Sequence, residues 1–266
     1  MSPHVLKDAI SEYLRYNTKH MSELFHTLVK EPLYNALIGI LDLGPWVDMG
    51  IAVILLTVLV KLLILPLSLK AARTQRLMKE LEEPMKEIRE KYKDDRETQG
   101  KKLLELYREK QVNPFSAFLT LLIQLPIIFG LYYLFWKGGL PQVDTTLLYS
   151  FVPVPGEINM HFMGWIDMAA KSAPLAVLAG VTQYLQVHFA LPAPAPRKEH
   201  ATFQEDFARS MHLQMKYFLP LMMIGVAYVA SAAVALYLIT SNIFAIGQEI
   251  YVKRRMEGEA RNVNTV

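Results

Sequence analysis

The chain has 266 residues, 52% of them hydrophobic and 20% charged, with a formal net charge of +3 and a mean hydropathy of +0.20. That is apolar for a water-soluble domain and too charged for a chain wholly immersed in lipid, so the charge has to be segregated along the sequence. The absence of cysteine excludes disulfides, thiolate chemistry and Cys-ligated metals.

In the first twenty residues polar and charged side chains occur throughout, which predicts no cleavable signal. A weak apolar periodicity runs through Leu6, Ile10 and Tyr13, then Leu24, Phe25 and Leu28. From Pro32 to Leu43 the pattern sharpens: Leu33, Leu37, Ile40 and Leu41 fall at helical spacing, Pro32 suits a first turn, and Gly44 and Pro45 follow. This predicts an amphipathic helix in the interface on the outer side of a membrane.

Five segments then approach the roughly 20 apolar residues needed to cross a hydrocarbon core. They run from Met49 to Leu69, Phe115 to Trp136, Ala173 to Leu191, Tyr217 to Ala230 and Ala233 to Val252. The last two form a tight hairpin turning near Ser231 and Ala232. The expected fold is all-α: a polytopic membrane protein of five transmembrane helices, with a cytoplasmic helical hairpin and an N-terminal amphipathic interfacial helix. The divisions are residues 1–46 outside or interfacial, 47–70 the first span, 71–113 the hairpin, 114–252 spans two to five with a cytoplasmic loop at 192–216, and 253–266 a short basic tail.

Basic residues set the orientation, because Lys and Arg accumulate on the cytoplasmic side. The connector from Lys70 to Asn113 carries 13 of them, and that from Lys137 to Ser172 only Lys137 and Lys171. The next, from Pro192 to Lys216, carries Arg197, Lys198, Arg209 and Lys216, and the tail carries Lys253, Arg254, Arg255 and Arg261. The N-terminus is therefore expected outside and the C-terminus in the cytoplasm.

The first connector is itself patterned. Leu77, Leu81, Met85, Ile88 and Tyr92, then Leu103, Leu106 and Tyr107, predict an antiparallel helical pair with its tip at Tyr92, Asp94 and Asp95. Pro84 should kink or interrupt the first arm, and Asn113-Pro114 should start the second span. Pro192 to Pro196, alternating Pro and Ala, is a stiff extended spacer.

Every Lys and Arg lies before the first span, in a connector or in the tail, except Lys61 in LLTVLVKLLILPLSLK. An ammonium near the bilayer centre costs roughly 2.5–3.5 kcal/mol even on lenient insertion scales. Along a straight helix it stands about 12 Å from Leu69 at 1.5 Å per residue, farther than the side chain reaches by snorkelling. A polar face surrounds it: Thr57 and Ser68 on the same span, Thr120 and Gln124 on the second, Thr182, Gln183 and Gln186 on the third, and Thr240, Ser241, Asn242 and Gln248 on the last. Singly these are interhelical hydrogen-bonding groups; together they line a hydrophilic groove around Lys61. The acidic residue within the spans is Glu249, four residues before Lys253 and suited to pair with it.

Enzyme signatures are missing: the sequence contains no His-Glu-x-x-His, no Gly-x-Ser-x-Gly and no Walker loop. Two rivals remain. A channel or small-solute transporter would use Lys61 as an anion site, and an assisting subunit of another translocase would tolerate its loss.

The segments LLTVLVKLLILPLSLKAARTQRLMKEL, KEIREKYKDDRETQGKKLLELYREKQVNP, LLIQLPIIFGLYYLF, LAGVTQYLQ and VALYLITSNIFAIGQE, in that order, resemble the YidC-type membrane protein insertases, bacterial relatives of the mitochondrial Oxa insertase. The resemblance spans roughly Pro32 to Arg255. It implies a groove open to cytoplasm and lipid but closed outward, in which one basic residue, here Lys61, attracts acidic residues of a nascent membrane protein. It implies no cofactor, metal or catalytic residue, and a bacterial cytoplasmic-membrane location. The implied partners are nascent membrane proteins, the ribosome, the general secretion translocon as an optional one, and the lipid bilayer, without specific nucleic acid recognition. The chain departs from the family in carrying Lys where Arg is usual, Ser231, Ala232 and Ala233 in place of Pro-Ala-Gly, and Leu238 in place of Trp.

Overall fold

The computed structural model describes residues 20, 22–113, 125–130, 133–135, 140–190, 210 and 213–263. Most of the second expected span, with Thr120 and Gln124, the Pro-Ala spacer and residues 1–19 lie outside the described residues.

A π-helical turn at His26–Lys30 runs without a break in helical backbone into α1, Glu31–Leu41, and Pro32, which has no N–H to give to the preceding turn, follows directly on the widened stretch. The apolar face of α1 is packed on protein: Leu33, Tyr34, Leu37, Ile38 and Leu41 are all buried. Against them lie α2, Met49–Leu63, and the helical residues around Gly130, whose backbone passes so close that an added Cβ would stand 2.7 Å from Leu33 Cδ1.

The stretch expected as one straight span is two helices. Helix α2 ends at Leu63, α3 occupies Leu65–Glu80, and the two are bent by 67° about Ile64. Pro66 explains the break, because it has no N–H to offer the Leu62 carbonyl and its ring crowds that group.

Helices α4, Glu82–Lys91, and α5, Arg96–Glu109, pack side by side on a small cluster of Leu81, Met85 and Val112 with Leu77, Met78, Leu103, Leu106 and Tyr107 against it. Pro84 lies in the first turn of α4, and the break falls just before it at Leu81.

The stretch from 140 to 172 carries a 3-10 turn, Thr145–Leu147, and a two-stranded antiparallel hairpin. Its strands are β1, His161–Phe162, and β2, Ile166–Asp167, with His161 opposite Asp167 and Phe162 opposite Ile166.

Helix α6, Ala173–Ala190, packs on α7, Leu219–Val229, and on α8, Ala232–Val263; α8 also packs on α2 and α3. Small side chains let the backbones close up: Ala176, Ala179, Ala227, Ala232, Ala233 and Ala235 are buried. At Gly180 a Cβ would stand 2.2 Å from Ile224 Cγ1 and 3.1 Å from the Pro220 carbonyl oxygen, so that crossing requires glycine. The turn between α7 and α8 takes only Ala230 and Ser231. Beyond Val252 the tail stays helical to Val263, with the Lys253–Glu257 pair on its surface.

Large apolar side chains face outward in rows: Leu55, Leu59, Leu62 and Leu63 on α2, Val177, Leu178, Val181 and Leu185 on α6, and Leu221, Met222, Val226 and Val229 on α7. Such continuous exposed rows are foreign to water-soluble domains and natural for lipid-facing helices. Among the described residues, Ala232–Gly258 is long and apolar enough to cross a membrane, and Met49–Leu63 with Leu65–Met78 passes the same criterion as a bent pair.

Candidate functional site

Lys61 sits half-buried in the last turn of α2, immediately before the break. The bend shortens its axial separation from Leu69. Past Ile64 the chain advances at 67° to α2, so the rise from Lys61 to Leu69 along α2's axis falls from about 12 Å to about 7 Å. A helix C-terminus carries a partial negative charge that stabilises a nearby cation by about 0.3–1 kcal/mol. That offsets only part of the roughly 2.5–3.5 kcal/mol cost of placing it in lipid.

The other polar residues divide into separate contacts. Thr57 is buried and its hydroxyl donates to the Val53 carbonyl at 2.6 Å, within its own helix. Ser68 donates to the Leu65 carbonyl at 3.0 Å and accepts from Gln248 Nε2 of α8. Thr182 donates to the Ala179 carbonyl at 3.0 Å and accepts at 3.2 Å from Asn242 Nδ2, which also reaches the Ala179 carbonyl at 3.4 Å. Gln183 Nε2 donates to Gln186 Oε1 at 3.1 Å along α6, and Ser241 is buried on α8 beside Asn242. Thr182 and Asn242 are thus joined across α6 and α8, and Ser68 is joined to α8.

Spacing along the sequence pointed Glu249 to Lys253. The structure brings it Arg76, whose Nη2 donates to Glu249 Oε2 at 3.1 Å and to the Glu249 carbonyl at 3.2 Å. Together with Ser68–Gln248 this forms a polar clasp that holds α3, the root of the hairpin, against α8. No local pattern signals it, because the partners are 173 residues apart.

At the hairpin tip Asp95 caps α5: Oδ1 accepts from Thr98 N at 3.0 Å and Oδ2 from Thr98 Oγ1 at 2.6 Å. These bonds favour the ionised form and hold the carboxyl below the usual carboxylate range. Gln99 closes the tip by donating to the carbonyls of Arg89 at 3.0 Å and Tyr92 at 3.3 Å, while Asp94 remains exposed.

The opposite end is bound by residues the sequence did not single out. Buried Asn35 donates to the carbonyls of Glu31 at 2.9 Å and Leu147 at 2.8 Å and accepts from Tyr149 N at 2.7 Å. Tyr34 Oη accepts from Asp144 N at 2.7 Å, and Lys30, also buried, lies 4.2 Å from the centroid of the Tyr133 ring. Among the described residues, no group of three or more His, Asp or Glu side chains is placed to hold a metal ion.

Lipid-facing rows, close small-residue helix crossings and one lysine at the break of an apolar helix define a helical membrane protein. Residues 40–260 match the family described as 60Kd inner membrane protein. A protein of Clostridium tetani named membrane protein insertase YidC is 30% identical over 243 residues, covering 91% of this chain and 99% of that one. The protein of that name from Fusobacterium nucleatum is 30% identical over 78% of this chain and 87% of its own length. That of Francisella tularensis subsp. novicida is 32% identical over 80% of this chain, which spans only 33% of it. The chain belongs to the 60Kd inner membrane protein family, and is an inner membrane protein like its bacterial relatives.

Proposed function

We propose that this chain is a non-enzymatic membrane protein insertase that works through a hydrophilic groove beside Lys61, open to the cytoplasm and the lipid. The carrying observation is the placement of Lys61 in the last turn of an apolar helix, at a 67° break and bordered by outward-facing Leu59, Leu62 and Leu63. Relatives that share the name membrane protein insertase YidC support the activity.

In this reading five helices span the membrane, the second crossing near residues 115–136, with the N-terminus outside and the C-terminus in the cytoplasm. The polar, acidic part of a nascent protein enters from the cytoplasm and its carboxylates pair with Lys61. Its apolar segment leaves sideways into lipid, driven by about 25 cal/mol per Å² of apolar surface buried. Thr57, Ser68, Thr120, Gln124, Thr182, Gln183, Gln186, Ser241 and Asn242 keep the path wet or shape its wall. The hairpin tip, with Tyr92, Asp94 and Asp95, and the basic loop and tail, with Arg197, Lys198 and Lys253 to Arg255, meet the ribosome or the general secretion translocon.

A carboxylate–ammonium pair at 4 Å is worth about 4 kcal/mol at an effective dielectric near 20. Insertion of a single-spanning substrate with an acidic outer tail into vesicles containing the chain therefore falls by about tenfold or more in Lys61→Ala and Lys61→Glu, and survives in Lys61→Arg. Equal insertion by all variants sinks the electrostatic groove and favours an assisting subunit. A substrate-coupled anion flux favours a transporter.

A further inference from the structure

The β-hairpin is clamped onto the first residues of α2. Asp48 does two jobs: Oδ1 accepts from Ile51 N at 2.8 Å and caps the helix, while Oδ2 accepts from Met163 N at 3.0 Å and holds the tip of the β-turn. Met49 N donates to the Asn159 carbonyl at 2.8 Å, and the Phe162 ring lies on Gly50, where a Cβ would come within 2.1 Å of it. At the tip, Met163 and Gly164 both have positive φ, of 52° and 86°, a conformation that turns the chain sharply.

The tip of this hairpin presents apolar side chains. Trp165 is 82% exposed and Met163 69%, and residues 158–168 contain no Lys or Arg. Trp46, 65% exposed, stands two residues before the Asp48 cap and so at the same end of α2. Here the outward-facing leucines of α2 give way to loops. Indole, with a large apolar body and one N–H donor, favours the boundary between acyl chains and headgroups.

We propose that the Met163–Trp165 tip is a lipid anchor. It seats in the interface of the outer leaflet and, through Asp48 and Phe162, fixes the depth of α2 and of the Lys61 it carries. The assignment to the outer leaflet rests on the topology proposed above.

The test keeps Trp165 as the sole tryptophan, with Trp46→Phe and Trp136→Phe, in the full chain reconstituted in phosphatidylcholine and phosphatidylglycerol vesicles. Brominated phosphatidylcholines carry the halogen either near the headgroup or near the chain ends. The expected result is blue-shifted Trp165 emission, quenched more by the shallow bromines than by the deep ones and little by aqueous iodide. Adding Asp48→Ala, which removes the acceptors of both Ile51 N and Met163 N, should shift the emission to the red and reduce shallow quenching.

Emission of hydrated indole, quenched by iodide and untouched by bromine, overturns the anchor. So does bromine quenching that fades as the protein-to-lipid ratio rises, which assigns the tip to a second copy of the chain. Sidedness is read separately from a unique thiol at Glu157→Cys. Labelling of intact cells by an impermeant maleimide supports the outer leaflet, and labelling only after the membrane is opened overturns that assignment and the topology together.

Discussion

Where α2 begins, the molecule is tied by side chains bonding to distant backbone: Asn35 to Leu147 and Tyr149, Tyr34 to Asp144, and Asp48 to Met163. The same end receives backbone bonds from the start of α8, where Ala232 N donates to Ala170 O at 2.7 Å and Ala233 N to Met168 O at 3.1 Å. At the opposite end α4 and α5 rest on a small apolar cluster, decorated by exposed pairs such as Lys101–Glu97 and Lys102–Glu105 that contribute little. Among the described residues the hairpin meets the bundle at α3, whose side-chain contacts with α8 include the Arg76–Glu249 and Ser68–Gln248 clasp. In the groove proposed above, the end stitched around the start of α2 would be the closed one and the hairpin end the open one.

The largest effect is expected where the clasp is cut. Arg76→Ala leaves the buried Glu249 carboxylate without that guanidinium, and breaking a buried pair costs about 3 kcal/mol. Hydrogen exchange should then accelerate in α3 and the hairpin while residues 140–172 keep their protection; acceleration at both ends would dissolve the distinction between them. Next comes Asn35→Ala, which strands the Leu147 carbonyl and Tyr149 N–H at a cost of about 2 kcal/mol. Its signature is the mirror image, with faster exchange in residues 140–172 and α1 and an unchanged hairpin.

The smallest effect is at the tip. Because the folded state holds the Asp95 carboxyl below its ordinary 3.8, its stabilising contribution is complete above that value and is lost as pH falls through the lower folded one. Exchange at the start of α5 should be flat from neutral pH down to about 5 and rise only below about 4, once corrected for intrinsic rates. Asp95→Asn should flatten that rise, and a transition nearer neutrality would assign it to another group.

Local pattern was legible where local physics decides. Leu77, Leu81, Met85, Leu103, Leu106 and Tyr107, picked out by spacing, meet in one cluster, and the turn between their helices contains Asp94 and Asp95. Pro66 stood in the sequence, yet the apolar run around it reads as continuous, because hydropathy is blind to a missing N–H. The apolar stripe of α1 was visible, but a stripe does not say whether lipid or protein covers it. The Arg76–Glu249 and Thr182–Asn242 contacts were not legible, since each partner has equally plausible neighbours within one turn. The helix beyond Val252 continues because Lys253 to Val263 contains no proline to stop it.

The account turns on the charge of Lys61, and reciprocal reversal tests it most directly. In vesicles without a membrane potential, insertion is measured for one substrate with an acidic outer tail and one whose acidic residues are changed to lysine, with the native chain and with Lys61→Glu. A crossover is predicted, the native chain inserting the acidic tail and Lys61→Glu the basic one. If both chains insert both substrates alike, the charge at position 61 does not select the cargo and the central claim is wrong.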